Sequence, residues 1–171
     1  DKKETAQKMA EDIDEMEKML SDYLQYAKSQ TEEKSVKINI NKLIGNILKK
    51  YDPSKYNFIS NNVPEIQGRE NLIKRCILNV IENGFAYGNK IFVETKKSIN
   101  SIVITIEDNG PGIPKNEYPN VFRPFYRIDK SRGLNKAGIG LGLSVAQDIT
   151  KSHGGNISLS ESRYKGLLVK I

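Results

Sequence analysis

The chain has 171 residues, enough for one well-buried domain and an extra element but not for two full domains. With 37% hydrophobic and 28% charged residues it has the balance of a globular protein, with no apolar run near the roughly twenty residues that cross a bilayer and no signal-peptide pattern. Its single cysteine, Cys76, excludes a disulfide framework and favours a reducing cytoplasm, and its net charge of +6 comes without a helix-turn-helix, zinc-finger or RNP-type pattern, which argues against nucleic acid as a partner.

Met9, Ile13, Met16, Leu20, Tyr23 and Ala27 recur at alternating spacings of four and three, with Glu11, Asp14, Glu15, Lys18 and Asp22 on the other faces. This heptad seam predicts a helix over 4–29. Such a helix needs something to cover its stripe: its own domain, a preceding stretch of chain, or a second copy. Residues 36–40 alternate like a half-buried strand, and Asn41 is placed to cap a short helix with Leu43, Ile44, Ile47 and Leu48 inward. Residues 56–60 read as a strand closed by Asn61-Asn62 and Pro64. From 70 to about 87, Leu72, Ile73, Cys76, Ile77, Val80 and Ile81 keep a helical period. Residues 90–96 and 101–107 predict a hairpin around Ile99-Asn100. Leu143, Val145, Ala146 and Ile149 mark a further helix ending at His153-Gly154-Gly155, and 156–160 and 167–171 are the last strands. Helices mixed with adjacent antiparallel strands predict an α+β fold, a two-layer α/β sandwich with a mixed sheet and helices on one face, preceded by the long N-terminal helix.

Chemistry concentrates in two glycine-rich stretches, Asp108-Asn109-Gly110-Pro111-Gly112 and Gly138-Ile139-Gly140-Leu141-Gly142-Leu143, with Asn79 and Asn83 upstream. Glycines let backbone approach a ligand closely. Asp108 offers an acceptor for an exocyclic amine such as adenine's, and two carboxamides four apart share a helix face and can give oxygen to Mg²⁺. Gly138, Gly140 and Gly142 precede a helix, whose first amides form an anion site. A Rossmann fingerprint needs its third glycine three residues after the second, and Gly142 follows Gly140 by two. Between Lys115 and Lys136 six basic residues face two acidic ones, a surplus that suits a triphosphate. Together these parts describe a nucleotide pocket without a Walker loop.

The order of the motifs resembles the catalytic ATP-binding domain of sensor histidine kinases, a branch of the GHKL (Bergerat-fold) ATPases that also holds Hsp90, DNA gyrase B and MutL. Asn79-Val80-Ile81-Glu82-Asn83 is similar to the N box, the Asp108 stretch to the G1 box, Phe122-Arg123-Pro124-Phe125 to the F box, and Gly138 through Leu143 to the G2 box, with His153-Gly154-Gly155 trailing. The resemblance implies a catalytic domain over 33–171 and, over 1–32, the second helix of a dimerisation and phosphotransfer bundle. The wording of that helix, and Tyr87-Gly88-Asn89, lean toward an EnvZ-like osmosensor subgroup.

It further implies ATP and Mg²⁺ as cofactors and assigns residues to them. Asp108 reads adenine, Gly110, Gly112 and Ile113 line the turn beneath the base, and Asn83 ligates the metal with Asn79 in support. Glu82 either polarises a metal-bound water or is a solvated helix residue. Tyr87 stacks on the nucleotide or packs at the helix end. Gly138, Gly140, Leu141, Gly142 and Leu143 cradle phosphates, and Arg127, Lys130 and Arg132 in a lid over 122–136 stand in for the basic residue the family often has where this chain has Ala86. Phe122 and Phe125 would latch that lid in an apolar slot. The only histidine, His153, sits in a helix exit and reads as structural, so the phosphate donor site is here without its acceptor. The implied activity is transfer of the ATP γ-phosphate to a histidine on a dimerisation domain and then to an aspartate of a response-regulator receiver domain, within a homodimer formed through the N-terminal helix. The parent would be membrane-anchored, with this portion cytoplasmic. Two other readings stay open, a GHKL clamp ATPase and an ATP-gated binding module without kinase activity.

Overall fold

The computed structural model describes residues 33–128 and 140–171 and, nearer the start, residues 5–7, 9, 10, 13, 14, 16, 17, 20, 21 and 24. The chain divides into two compact units, Asp1–Lys34 and Ser35–Ile171. In the first unit every described residue from 5 to 24 is helical, and Met9, Ile13, Met16, Leu20 and Leu24 are each more than half exposed. Tyr23 and Ala27 of the expected seam lie outside the described residues. Among the described residues no helix is long and apolar enough to cross a membrane.

The second unit is built on a mixed sheet. Strands β2 (Tyr56–Ser60), β4 (Ile91–Lys97), β5 (Ile102–Asp108), β6 (Ser158–Glu161) and β7 (Leu167–Lys170) run in the order β2-β4-β5-β7-β6. β2 pairs parallel to β4, and every other pair is antiparallel. The predicted hairpin is β4–β5, with Ile91 opposite Asp108 and Phe92 opposite Glu107. Each strand of it begins and ends one residue later than the alternation suggested, which makes Asp108 the last residue of β5. A small second sheet pairs β1 (Val36–Ile38) with β3 (Ile66–Gly68), a strand too short for its pattern to be read.

Three helices, α1 (Ile40–Leu48), α2 (Glu70–Tyr87) and α3 (Gly142–Ser152), supply the other layer. α2 packs along α3 and against β4 and β5, and α1 packs against α2 and β2. Their apolar stripes meet alternate sheet residues, so Ile44, Ile47, Leu72, Ile77, Ile81, Ile149, Ile91, Val93 and Ile106 are nearly sealed from solvent. Cys76 lies among them with Sγ toward Ala146 O and Thr150 Oγ1, and burial pushes its thiol up to about 11, leaving it unreactive at neutral pH.

The cap of α1 differs from expectation. Asn39, not Asn41, takes extended backbone and accepts from Lys42 N at 2.9 Å. Asn41 is instead a tie between layers, donating to Asn61 O and accepting from the buried Thr95 hydroxyl, each at 2.7 Å. At the other end of the layer His153 has a structural role. Its Nε2 accepts from Arg69 N at 3.1 Å while Nδ1 faces Ile149 O at 2.8 Å, so the ring joins the start of α2 to the end of α3 as the neutral Nδ1–H form. Asn39→Ala should lower unfolding stability by about 1 kcal/mol, with Asn39→Ser keeping most of it. An unchanged urea midpoint in the alanine variant would show that the cap contributes nothing.

Candidate functional site

The predicted site residues gather around the C-terminal half of α2 and the ends of the elements packed on it. Asn79 and Asn83, one turn apart, are half-buried on α2, while Glu82 and Tyr87 are exposed. Gly142, the first residue of α3, comes so near that a Cβ there would stand 3.4 Å from Asn83 Nδ2 and 3.8 Å from Asn79 Cβ. Leu141 at the cap of α3 has no capping side-chain bond, so among the described residues the first turn of α3 starts uncapped beside two carboxamides. The next residue of α2, Gly84, lies on the sheet side, where a Cβ would be 3.6 Å from Asp108 Cβ. Asn83 and Asp108 are thus served by neighbouring positions of one helix.

Asp108 is 8% exposed. Its Oδ1 accepts from Gly110 N at 2.8 Å and from Leu167 N at 3.3 Å. Among the described residues Oδ2 takes no bond, so one oxygen is anchored and the other is left for a ligand's donor. Burial pushes the carboxyl above the usual Asp range, and the two backbone bonds pull it part of the way back. Gly166 lies against this carboxylate so closely that a Cβ would overlap Oδ1. Asn109 holds the loop from its other end, accepting from Asn89 N and Lys90 N at 3.0 Å each.

The F-box and G2 segments meet through backbone. Phe125 N donates to Gly140 O at 3.0 Å, and Gly140, at φ +83, fits against Phe125 and Tyr126 where a Cβ would strike Tyr126 O at 2.9 Å. The Tyr126 hydroxyl donates to Glu117 Oε2. Of the phenylalanines expected to latch the lid, Phe122 is half-buried and Phe125, at φ +64, is 58% exposed, while most of that lid lies outside the described residues. Leu143 sends its side chain into the core, so only its backbone remains near the α3 terminus. Ile113, Arg127 and Leu141 are half-buried. Lys130, Arg132 and Gly138, with the rest of the expected lid over 129–136, lie outside the described residues.

The family described as histidine kinase-, DNA gyrase B-, and HSP90-like ATPase matches residues 68–171, which span α2, β5, both glycine stretches and the last strands. The chain belongs to this ATPase family. Among curated relatives of this ATPase domain, the sensor histidine kinase GtrS of Pseudomonas aeruginosa is 29% identical over 96% of the chain. The signal transduction histidine-protein kinase ArlS of Staphylococcus aureus is 37% identical over 63% of it. The chain spans only 34% and 24% of those two proteins. The catalytic domain of histidine kinase ThkA shares the fold at a TM-score of 0.69 and 22% identity, covering 80% of this chain and 93% of that one. The histidine kinase domain of the E. coli osmosensor EnvZ gives 0.59 and 27%, covering 81% and 86%. EnvZ is one similar kinase among several, so these likenesses do not single out an osmosensor subgroup.

Missing from the sequence reading of the candidate site were Gly166 and Leu167. Both act on Asp108 from a turn that locally reads only as a connection between strands. The raised Asp108 carboxyl has a consequence for stability. Its pKa in the fold lies above the unfolded value, so its ionisation costs stability, and that cost grows as pH rises from the unfolded pKa through the folded one. Asp108→Asn should therefore gain on the wild type as pH rises from about 3 to 7 in urea melts of the nucleotide-free protein. A variant that instead loses ground to the wild type over this range would contradict the burial penalty.

Proposed function

We propose that this chain is the ATP-binding, phosphate-donating portion of a sensor histidine kinase, acting on a histidine carried by a dimerisation bundle. The observation that carries this reading is Asp108, with Oδ1 held by two amides and Oδ2 open, at the end of α2 whose Asn79 and Asn83 face the uncapped start of α3. An adenine N6 amine suits the open oxygen, and the triphosphate suits the α3 amides. Of Arg127, Lys130 and Arg132, the cations expected to face the phosphates, Arg127 is the described one, two residues beyond the Phe125–Gly140 contact.

The donor set also suits Mg²⁺. Among the described residues no group of three His, Cys, Asp or Glu side chains is placed to hold a metal. One carboxamide oxygen from Asn83 is the kind of sparse protein ligation that Mg²⁺ takes when phosphates and waters complete its shell. When bound, the ion would offset charge on the phosphates. Asn79 would orient a phosphate or a water, and the first turn of α3 would hold the chain of phosphates. The acceptor imidazole nitrogen then forms the new bond to the γ-phosphorus as the bond to the β–γ bridging oxygen breaks, leaving ADP.

Residues 1–32 are read as the second helix of the bundle. The exposed Met9, Ile13, Met16, Leu20 and Leu24 support this, since such a stripe needs partner helices in a homodimer. Onward transfer to a receiver-domain aspartate, and a membrane-anchored parent with this part in the cytoplasm, follow from the same reading.

Saturating Mg-ATP at about 100 times Kd should stabilise the protein by about 2.7 kcal/mol, and Asn83→Ala should remove most of the magnesium-dependent part. Full stabilisation of the variant would overturn the metal assignment. With a separately added histidine-bearing bundle, label from γ-³²P-ATP should appear on that bundle. Steady phosphate release with no labelled bundle would instead favour a clamp ATPase.

A further inference from the structure

Glu107, the residue before Asp108, has a side chain only 3% exposed on the sheet face opposite the helices. A buried carboxylate is costly unless donors surround it. Here four do: Ser162 Oγ at 3.0 Å, Arg163 N at 3.2 Å, Arg163 Nε at 3.0 Å and Arg163 Nη2 at 2.7 Å. All come from the turn between β6 and β7. The next residue of the turn, Tyr164, stacks on Phe92 of β4 with ring centres 3.5 Å apart and planes 11° apart. The turn is thus fastened to the open face of the sheet at two points.

It then crosses the end of β5. Lys165 takes φ +74, Gly166 comes so close to Asp108 that a Cβ would overlap it, and Leu167 N reaches Oδ1. Within the turn, Ser162 N donates to Gly166 O at 2.9 Å and Lys165 N to Ser162 O at 3.0 Å, so the turn is cross-braced by its own backbone. Successive side chains of a strand point to opposite faces. One short turn therefore grips Glu107 on one face and Asp108 on the other.

We propose that Glu107 and Arg163 are positioning residues for base selection: by anchoring the 162–166 turn they keep Leu167 N on Asp108 Oδ1 and Oδ2 aimed at the 6-amino group of a purine. The proposal rests on the reading of Asp108 as the adenine acceptor. Both would act through the turn rather than on the nucleotide itself. Arg163 keeps a side chain 62% exposed, so its replacement opens no cavity and acts by removing donors from the Glu107 carboxylate. Lysine cannot reproduce the two-pronged guanidinium contact, which makes Arg163→Lys a demanding substitution here.

The test compares two ligands by calorimetric titration of the full chain with magnesium present. One is ATP. The other is purine riboside triphosphate, identical except that hydrogen replaces the 6-amino group. The wild type should prefer ATP. In Arg163→Lys, Arg163→Ala and Glu107→Gln that preference should fall by about tenfold, through weaker ATP binding with the analogue's affinity unchanged. A purely structural role would weaken both ligands together and leave the ratio alone. Should Glu107→Gln fail to fold, the two Arg163 variants decide the matter. An undiminished ATP preference in them would overturn the positioning role while leaving the adenine assignment standing. A wild type that binds neither ligand, or both equally, would overturn the adenine assignment itself.

Discussion

The structure depends on a carboxylate kept out of water at the end of a strand. Asp108 is buried at a cost that two amide bonds to Oδ1 only partly offset, since its pKa stays raised. Charge-assisted bonds contribute on the order of 1.5–3 kcal/mol each, and a buried carboxylate with an open oxygen forgoes part of what it could gain. Such a group is poised for a donor that arrives with a ligand. The surroundings are shaped to keep it so: Gly84 and Gly166 leave room on either side, and β4, β5 and β7 fix the backbone from which it projects.

The second constraint is the sharing of α2. The stripe of Leu72, Ile73, Cys76, Ile77, Val80 and Ile81 seats this helix between α3 and the sheet. The same seating carries Asn79 and Asn83 to the start of α3 and Gly84 to Asp108. Packing and site geometry are therefore one arrangement, and its far end is tied by His153 to the start of the helix. Membership of the ATPase family agrees with this, since the matched residues begin just before α2 and run through the last strand.

Much of this was legible in the sequence because the signals were local. Helical period placed α2, and alternation placed the β4–β5 hairpin to within one residue. The glycine stretches announced themselves by composition. What escaped depended on partners distant along the chain. Asn39 and Asn41 are both plausible caps, and only Thr95 and Asn61, which occupy Asn41, decide between them. Gly166 looks like any turn glycine until Asp108 is seen against it. Three-residue β3 carries too little pattern to register. Phe125 takes a positive φ that no residue preference predicts.

The central claim is that Asp108, Asn83 and the start of α3 serve one ligand. Backbone and side-chain amide NMR during an ATP titration tests it most directly. The account predicts that Gly110 N–H, Leu167 N–H, Gly142 N–H and the Asn83 carboxamide shift along curves that fit a single Kd. Curves with separate midpoints, or a response confined to one side of α2, would contradict it.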